Sequence, residues 1–413
     1  MKVLFLHQNF PAQFRHLATA LSKDPNNQVV FATNRKEGSL PGVQKVLYGA
    51  SREPSQQTHF YVKPLEQAVL YGQGAYRSLI QLKNKENFYP DVIYAHSGWG
   101  QGLFVKDLFP KADYLCFFEW FYNAHGSDVD FDPAEPVTDE TEARLRIRNA
   151  TILIDLYSCD RGLSPTRWQH QQFPSEFHNK LSVWHDGIDT DFFKPNPNAK
   201  LVIEPSAPIT CPSPLDLSEV DEIITYVARG MEPYRGFPQF MKAIELLQKR
   251  RPNCHVVVVG QDRVAYGQTP IDQSHRQQAL DTLELDLSRL HFTGLLSYPK
   301  YLKVLQASSV HVYLTRPFVL SWSALEAMSV GCAVVGSSTA PVEEIIQDGV
   351  NGLLVDFFEP ERIVERIVEV LEHPDRMQAM RTRARQTIVD KYNLEDLLPV
   401  HLNWMKGKIQ TIR

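Results

Sequence analysis

The sequence predicts an α/β protein with two doubly wound domains, each built on a parallel sheet. Three observations support this prediction. The chain has 413 residues, more than a single ordinary hydrophobic core holds. Its apolar runs are nearly continuous, as in strands that are buried on both faces of a parallel sheet. These runs alternate with stretches of helical spacing, and two such series follow each other along the chain.

The first series of predicted strands lies before residue 190. Its strands are expected at Val3–His7, Val29–Thr33, Val92–His96, Tyr114–Glu119 and Ser182–His185. Helical spacing predicts helices over Ala12–Leu21, Leu65–Leu82 and Thr141–Leu156. The series therefore has the alternating order of a doubly wound domain.

The second series begins near residue 221. Its strands are expected at Ile223–Ala228, His255–Gly260, His291–Thr293, Val310–Leu314, Ala333–Gly336 and Gly352–Val355. Many prolines and few periodic apolar residues stand between the two series, which is typical of a linker. We therefore expect an N-terminal domain over 1–190, a linker over 191–220, a C-terminal domain over 221–392 and a last helix within 393–413.

The composition narrows the functional classes. The formal net charge is −5 at pH 7, which argues against a dedicated nucleic-acid-binding protein. The five cysteines form no C-x-x-C pair, which favours reduced thiols in a cytosolic protein without a zinc site. The N-terminal apolar run covers only Val3–Leu6, and no run reaches the about 18 apolar residues that a membrane-spanning helix needs. Neither a signal peptide nor a membrane helix is expected.

Four segments occur in an order that resembles the family-4 retaining glycosyltransferases. In chain order they read HDGIDTDFFKP, YVARGMEPYRGFPQFMKAIELL, LEAMSVGCAVVGSS and EEIIQDGVNGLLV. The resemblance extends over essentially the whole chain. It implies the GT-B fold, in which two Rossmann-like domains face each other. It also implies an acceptor site in the first domain, a nucleotide-sugar site in the second, and a C-terminal helix within 393–413 that packs back on the first domain.

The sequence departs from the family pattern at several positions. Phe318 stands where the family usually has a glutamate, eight residues before the glutamate of the EAM segment. The loop HQNFPAQFRH replaces the usual Gly-Gly loop after the first strand. Glu119 stands where a histidine often ends a strand, and Ala333 replaces a proline. The resemblance therefore supports nucleotide binding more strongly than it supports any particular sugar or acceptor.

Two arginines near the end of a predicted strand are the expected phosphate ligands. Arg229 directly follows Ile223–Ala228, and Arg235 lies in the next loop, before a helix that begins near Phe237. The resemblance implies that both bind the diphosphate of the donor, whose negative charge grows as the glycosidic bond breaks. Guanidinium groups suit phosphate oxygens. By position alone, two surface cations remain the alternative.

Glu326 has two competing interpretations. The resemblance implies that it accepts hydrogen bonds from the ribose hydroxyls of the donor. Alternatively, Ser323 and Glu326 fit the S-x-x-E pattern of a capping box, with Ser323 as the N-cap. In both cases a helix begins just before Glu326, and its first N–H groups are expected to face a phosphate or the sugar. The donor-binding residues expected at this helix start are Phe318, Val319, Leu320 and Ser321.

His96 and Glu119 end two predicted strands of the first domain. Because ligands of doubly wound folds bind at such strand ends, both residues are expected to line the interdomain cleft and to be catalytic. The alternative for each is a structural group with a polar partner. Glu119 is expected to act as a base toward the acceptor hydroxyl. If the leaving phosphate takes that proton, as the resemblance implies, Glu119 only orients the acceptor.

No metal or other cofactor is expected. The segment DVDFDPAE, from Asp128 to Glu135, does not fit a calcium loop, because Pro133 occupies the position that requires glycine. The histidines show no metal-ligand spacing. We interpret the segment as part of a solvated acidic surface insertion over Asn123–Glu142. The two arginines are expected to supply the positive charge that a metal would otherwise provide.

The resemblance predicts a retaining, hexosyltransferase-type glycosyltransferase. It would transfer a sugar from a nucleotide sugar, expected to be a UDP-sugar, to an acceptor hydroxyl of unknown class. Two alternatives stay open: a nucleotide-sugar-binding protein without catalysis, and a nucleotide-sugar epimerase of the same fold. Nucleic acid is not an expected partner. The protein is expected in the cytoplasm. Peripheral membrane contact, which is common in the family, stays open, as does the oligomeric state.

Overall fold

The computed structural model describes residues 1–203, 214–267 and 272–408. The chain divides into two compact units. The first comprises Met1–Asp186 together with the segment from Glu395 onward, and the second comprises Gly187–Leu394. Each unit contains its own parallel sheet with helices between the strands. The predicted fold class, two doubly wound α/β domains, is confirmed.

The first unit is built on a seven-stranded parallel sheet within the described residues. Its strands are β1 (Lys2–Leu6), β2 (Gln28–Thr33), β3 (Val43–Leu47), β4 (Val92–His96), β5 (Asp113–Phe117), β6 (Arg161–Ser164) and β7 (Leu181–Val183). They pair in the order β3-β2-β1-β4-β5-β6-β7. The strand order reverses between β1 and β4, and doubly wound sheets bind their ligands at such a switch point.

Helices lie along both faces of this sheet. They are α1 (Arg15–Ser22), α2 (Lys63–Glu86), α3 (Val105–Leu108), α4 (Asp139–Arg148), α5 (Ala150–Ser158) and α6 (Arg167–Gln171), with 3-10 turns at Ala12–Phe14 and Ser175–Lys180. Successive side chains of a strand point to opposite faces. Val3 and Phe5 of β1 therefore pack with α1, while Leu4 and Leu6 pack with α2 and α5. All four are fully buried, which explains the continuous apolar run.

The second unit begins with two short antiparallel strands, β8 (Val202–Ile203) and β9 (Leu215–Asp216). A six-stranded parallel sheet follows. Its strands are β10 (Ile223–Gly230), β11 (His255–Gln261), β12 (Leu290–Gly294), β13 (Val310–Tyr313), β14 (Val334–Ser337) and β15 (Leu353–Val355). They pair in the order β12-β11-β10-β13-β14-β15. This is the strand order of the Rossmann fold, with its switch point between β10 and β13.

The remaining helices follow the strands of the second sheet. They are α7 (Phe237–Arg250), α8 (His275–Thr282), α9 (Tyr298–Gln306), α10 (Trp322–Val330), α11 (Ala340–Glu343), α12 (Pro360–Glu372), α13 (Pro374–Tyr392) and α14 (Leu394–Met405), with 3-10 turns at Pro233–Arg235 and Leu287–Arg289. None of the helices in the described ranges combines the length and the apolar character that crossing a membrane requires.

Helix α14 packs on the first sheet. Trp404 is fully buried there, with its ring 5.6 Å from that of Tyr94 and 5.7 Å from that of Trp184. Trp184 Nε1 donates to His401 Nδ1 (3.2 Å), so His401 carries its proton on Nε2 and donates it to the carbonyl of His185 (2.9 Å). The last part of the predicted segment 393–413, residues 409–413, lies outside the described residues.

The segment 191–220, expected to be a linker, includes β8 and β9. Leu201, Ile203, Leu215 and Leu217 are buried in a cluster with residues of the second sheet, such as Val257. Residues 204–213 of this segment lie outside the described residues. The described flanks of the segment therefore belong to the core of the second unit.

Two strands of the first sheet were not predicted, for different reasons. β3 is an edge strand, and its residues are half-buried or exposed, so it shows no continuous apolar run. β6 has only four residues and begins with Arg161. Its pairing with β5 and β7 is a property of the tertiary structure, which the local sequence does not reveal.

Candidate functional site

The loops that follow β10, β11 and β13 are hydrogen-bonded to one another beyond the carboxyl edge of the second sheet. The Arg316 N–H donates to the Tyr234 carbonyl (2.9 Å). The Tyr266 N–H donates to the carboxylate of Glu232 (2.9 Å). These loops flank the switch point between β10 and β13, where Rossmann-like sheets bind nucleotides. The second unit therefore has its candidate ligand site at this edge.

Arg235 is a buried cation at this site, with only 6% of its surface exposed. Its Nη1 donates to Tyr313 Oη (3.2 Å), Thr315 Oγ1 (2.9 Å) and the Val319 carbonyl (3.0 Å). The ring of Tyr266 lies 5.4 Å from the guanidinium carbon, within cation–π range. The guanidinium is therefore held in one orientation. A positive charge that is fixed in this way can stabilise an anion without reorganising.

Arg229 has a different environment from Arg235. Strand β10 extends through Arg229 to Gly230, beyond its expected end at Ala228. The register with β11 shifts between Val227 and Gly230, and the Arg229 side chain is exposed. The two arginines therefore do not form a symmetric pair, since one is fixed inside the protein and the other extends into solvent.

Phe318 is buried in a small aromatic cluster, with 6% of its surface exposed. Its ring meets those of Tyr234 and Tyr266 edge-on, at centroid distances of 5.4 and 5.0 Å. The guanidinium carbon of Arg316 lies 5.2 Å from the Tyr234 ring centroid. The position at which the family pattern has a carboxylate therefore contributes an apolar wall.

The predicted capping box at the start of α10 is wrong. The N-cap is Ser321, whose Oγ accepts from the Ser323 N–H (3.3 Å). A capping-box glutamate stands three residues after the N-cap, whereas Glu326 stands five residues after Ser321. Glu326 is 6% exposed, and its Oε2 accepts a hydrogen bond from Tyr301 Oη (2.8 Å). Glu326 is therefore a buried carboxylate within the helix.

The segment before α10 is held in place through its main chain. The Ser321 N–H donates to Tyr313 Oη (2.9 Å), and the Phe318 N–H donates to the Arg316 carbonyl (2.6 Å). The side chains of Val319 and Leu320 are buried. The Ser321 N–H, which was expected to face a phosphate or the sugar, is therefore used inside the protein in this conformation.

Two histidines flank the switch point of the first sheet. His7 directly follows β1 and His96 ends β4, and their ring centroids are 4.5 Å apart. The Asn9 N–H donates to His7 Nδ1 (2.8 Å), so His7 donates through Nε2 to Gln13 Oε1 (3.0 Å). His96 Nδ1 donates to the Ser97 carbonyl (3.0 Å). These hydrogen bonds fix the orientation of both rings.

Glu119 lies two residues beyond the end of β5, so it was placed wrongly at the strand end. Its Oε2 is 3.6 Å from His96 Nε2, and the two side chains are 32% and 3% exposed. Of the two ring nitrogens of His96, Nδ1 donates to a carbonyl and Nε2 faces the carboxylate. The structure thus brings His96 and Glu119 together, with Glu119 reaching solvent.

A buried aspartate supports the loop that follows His96. Asp155 accepts from Ser97 Oγ (2.8 Å), the Gly98 N–H (3.2 Å) and Tyr114 Oη (3.0 Å). Burial raises the pKa of the Asp155 carboxyl, and these three donors oppose the rise. Asp155 therefore holds the backbone to which His96 is bonded.

The acidic segment of the first unit is less solvated than expected. Asp128 is only 1% exposed and accepts from Ser127 Oγ (3.2 Å), whereas Glu135 is exposed. Asp130 accepts from the N–H groups of Gly126 (2.8 Å) and Ser127 (3.2 Å), which are turn contacts. Across the described parts of the chain, no three His, Cys, Asp or Glu side chains are grouped as metal ligands.

Both halves of the chain match family models of glycosyltransferases. Residues 25–193 match the model described as the glycosyl transferase family 4 group, and residues 213–387 match the model described as glycosyl transferases group 1. The chain belongs to the family-4-like glycosyltransferases. The resemblance that the four sequence segments carry is thereby confirmed.

Two curated relatives of this glycosyltransferase match parts of the chain. An uncharacterized glycosyltransferase of Methanocaldococcus jannaschii is 29% identical over 105 residues, which are 25% of this chain and 27% of the relative. The D-inositol 3-phosphate glycosyltransferase of Segniliparus rotundus is 24% identical over 203 residues, which are 49% of this chain and 41% of the relative. The aligned parts thus amount to less than half of either relative's length.

Solved structures show the same fold over nearly the whole chain. Sucrose-phosphate synthase from Thermosynechococcus elongatus has a TM-score of 0.70 at 16% identity, over 98% of both chains. Anabaena HepE in complex with UDP has a TM-score of 0.65 at 14% identity, over 98% of this chain and 100% of that chain. The predicted GT-B fold is confirmed. At these identities the likeness establishes the fold and not the substrate.

Several residues of the two sites were not predicted from the sequence. In the second unit they are Glu232, Tyr234, Tyr266 and Arg316, and in the first unit they are His7, Gln13 and Asp155. His7 carried a usable signal, because in the sequence it comes at the end of an apolar run, as His96 does. Glu232 and Tyr266 carried none, because their contact joins two loops that are far apart in the chain.

Proposed function

We propose that this protein is a retaining glycosyltransferase that moves a sugar from a nucleotide-sugar donor, expected to be a UDP-sugar, to an acceptor hydroxyl. The observation that carries the proposal is the buried guanidinium of Arg235, fixed at the switch point of a Rossmann-like sheet. The similar fold of HepE, solved with UDP and with UDP-glucose, supports a uridine diphosphate donor.

The donor is proposed to bind at the edge of the second sheet. Arg235 and the exposed Arg229 bind the diphosphate, and Glu326 accepts hydrogen bonds from the ribose hydroxyls. As the bond from the anomeric carbon to the phosphate oxygen breaks, negative charge collects on the leaving diphosphate. The fixed guanidinium of Arg235 stabilises that charge without having to reorganise. This role requires no metal ion.

The acceptor is proposed to bind in the first unit, at His96 and Glu119. The acceptor oxygen bonds to the anomeric carbon on the face from which the diphosphate leaves, and its proton passes to the leaving phosphate oxygen. The configuration at the anomeric carbon is then retained. His96 and Glu119, 3.6 Å apart, hold the acceptor hydroxyl in place for this step.

A thermal-shift panel of UDP-, GDP- and ADP-sugars tests the donor proposal. A ligand that binds only the folded protein raises the melting temperature by mass action, by an amount that depends on its concentration relative to Kd. We expect UDP-sugars to give the largest shift. A panel in which no nucleotide sugar raises the melting temperature would count against the proposed function.

Glu326→Gln should weaken UDP binding about tenfold, because a neutral amide is a poorer acceptor for two ribose hydroxyls than a carboxylate. The melting temperature without ligand should hardly change, since the amide oxygen of glutamine can still accept from Tyr301 Oη. Calorimetric titration with UDP measures the affinity. Titration with inorganic diphosphate is the control, and its affinity should be preserved. A variant that melts much lower yet binds UDP normally would show that Glu326 is only structural.

Excess chelator should leave transfer activity unchanged, because Arg235 provides the positive charge at the leaving diphosphate. The measurement is UDP release from a UDP-sugar with and without EDTA. The same reaction with added Mn²⁺ or Mg²⁺ is the control. Loss of turnover in EDTA that either metal restores would disprove metal-independent transfer.

One observation favours a second candidate, a nucleotide-sugar-binding protein without catalysis. Phe318 replaces a family carboxylate and is buried against Tyr234 and Tyr266. The side chain at this position therefore cannot accept a hydrogen bond from the donor sugar. Release of UDP from a UDP-sugar in an acceptor screen separates the two candidates, because a binding protein would show affinity without turnover.

A further inference from the structure

We propose that Glu232 is a positioning residue of the donor site. Its carboxylate fixes the loop after β11 so that Tyr266 lies against the guanidinium of Arg235. The inference rests on the proposed function in one respect, since it takes Arg235 to be the phosphate ligand. Glu232 acts through Tyr266 and does not itself contact the donor.

Glu232 joins two loops through both its side chain and its main chain. Its Oε2 accepts from the N–H groups of Ala265 and Tyr266, the latter at 2.9 Å. Its carbonyl accepts from the N–H groups of Arg235 (3.2 Å) and Phe237 (3.2 Å). One residue thus holds the loop that carries Arg235 and the loop that carries Tyr266.

The end of β10 leaves no room for a larger residue between these loops. A Cβ atom at Gly230 would lie 2.5 Å from the Arg263 carbonyl oxygen and 2.9 Å from Glu232 Oε2. The glycine therefore permits the loop after β11 to approach the strand end closely. The close approach to Gly230 and the two hydrogen bonds to Glu232 are independent observations. Both show that the loop after β11 packs against the end of β10 and the loop that follows it.

The contact determines where the Tyr266 ring lies. The ring is 5.4 Å from the Arg235 guanidinium carbon and 5.0 Å from the centroid of Phe318. Arg235 is also held by three acceptors on Nη1. The ring and the acceptors together restrict the guanidinium to one orientation. If the Tyr266 N–H were released from Glu232, the Tyr266 ring would no longer be held against Arg235.

The burial of Glu232 indicates that it does more than stabilise the fold. The side chain is completely buried, and Oε1 has no hydrogen-bond partner among the described residues. Burial raises the pKa of this carboxyl, while its two N–H donors and the charges of Arg235 and Arg263 oppose the rise. A buried, partly satisfied carboxylate is costly for stability. Its place between the two loops is consistent with a role in orienting the site.

Glu232→Ala and Glu232→Gln test the inference together. In the alanine variant we expect amide hydrogen exchange at Ala265 and Tyr266 to rise, and the affinity for UDP to fall about tenfold. The amide oxygen of glutamine can accept both N–H bonds, so Glu232→Gln should restore slow exchange and most of the affinity. A purely structural role would lower the melting temperature of Glu232→Ala but leave the affinity of its folded fraction for UDP unchanged.

Tyr266→Leu keeps the inference testable even if Glu232→Ala fails to fold. This variant retains the N–H that Glu232 accepts and removes the ring from Arg235. We expect slow exchange at Ala265 together with an affinity for UDP that is about tenfold weaker. Wild-type affinity for UDP in both Tyr266→Leu and Glu232→Ala would overturn the inference and leave the proposed function intact. If the unmodified protein binds neither UDP nor any nucleotide sugar, the proposed function itself fails.

Discussion

Binding of UDP should weaken about a hundredfold when Arg235 is replaced by alanine, because two charge-assisted hydrogen bonds to the diphosphate, at about 1.5 kcal/mol each, would be lost. Arg235 is buried and fixed by Tyr313, Thr315 and Val319, so no other side chain is expected to substitute for it. Calorimetric titration with UDP measures the loss.

Two other arginines provide matched controls for Arg235→Ala. Arg229→Ala should weaken UDP binding about tenfold, because an exposed guanidinium is already solvated and contributes less on binding. Arg250→Ala, at the exposed far end of α7, should have no effect on affinity. Equal affinities for Arg235→Ala and Arg250→Ala would remove Arg235 from the diphosphate site. Arg235→Ala leaves three acceptors without their donor, so it could lose affinity by misfolding. Its melting temperature without ligand identifies such a loss.

Glu119→Gln should lower kcat for transfer about a hundredfold, because misplacing a bound reactant by about 1 Å can cost that much. The amide cannot carry the charge that faces His96 Nε2. Affinity for UDP should be unchanged, because the proposed donor site lies in the second unit. Turnover is measured with an acceptor found in the screen.

Glu86→Gln is the matched control for Glu119→Gln, since Glu86 is an exposed carboxylate at the end of α2. It should have wild-type turnover. If Glu119→Gln transfers sugar at the wild-type rate, the His96–Glu119 pair has no part in the reaction. If it loses UDP affinity to the same extent as turnover, the separation of donor and acceptor residues between the two units is wrong.

The strands that the sequence predicts well are those buried on both faces. Val3–Leu6 and Val256–Val259 are apolar throughout because helices cover both sides of each sheet. The edge strand β3 contains Gln44 and Lys45, and its sequence lacks that signal. Its place in the sheet depends on pairing with β2, which local composition does not encode.

The start of α10 shows why a local motif can mislead. Ser321 and Ser323 are both suitable N-caps, and only Ser323 completes an S-x-x-E pattern with Glu326. In the structure, the hydrogen bond from the Ser321 N–H to Tyr313 fixes Ser321 before the helix, so Ser321 becomes the cap. A tertiary contact with β13 therefore decides between two locally equivalent caps.

The candidate site was predictable where a residue follows a strand and not where it depends on contacts between loops. His96 ends an apolar strand and Arg235 lies in the loop after one, so their position together with the family resemblance directs attention to them. Glu232 resembles an ordinary acidic loop residue in the sequence. Only its contact with Ala265 and Tyr266 reveals that it is buried.

The affinity of the unmodified protein for UDP relative to UMP tests the central claim, that the second unit binds the diphosphate of a nucleotide sugar. The two ligands share base and ribose and differ by one phosphate, so their difference in affinity reports on the diphosphate contact alone. We expect calorimetry to give UDP at least about tenfold tighter binding than UMP, which corresponds to one charge-assisted hydrogen bond. Equal affinities, or no binding of either nucleotide, would contradict the account.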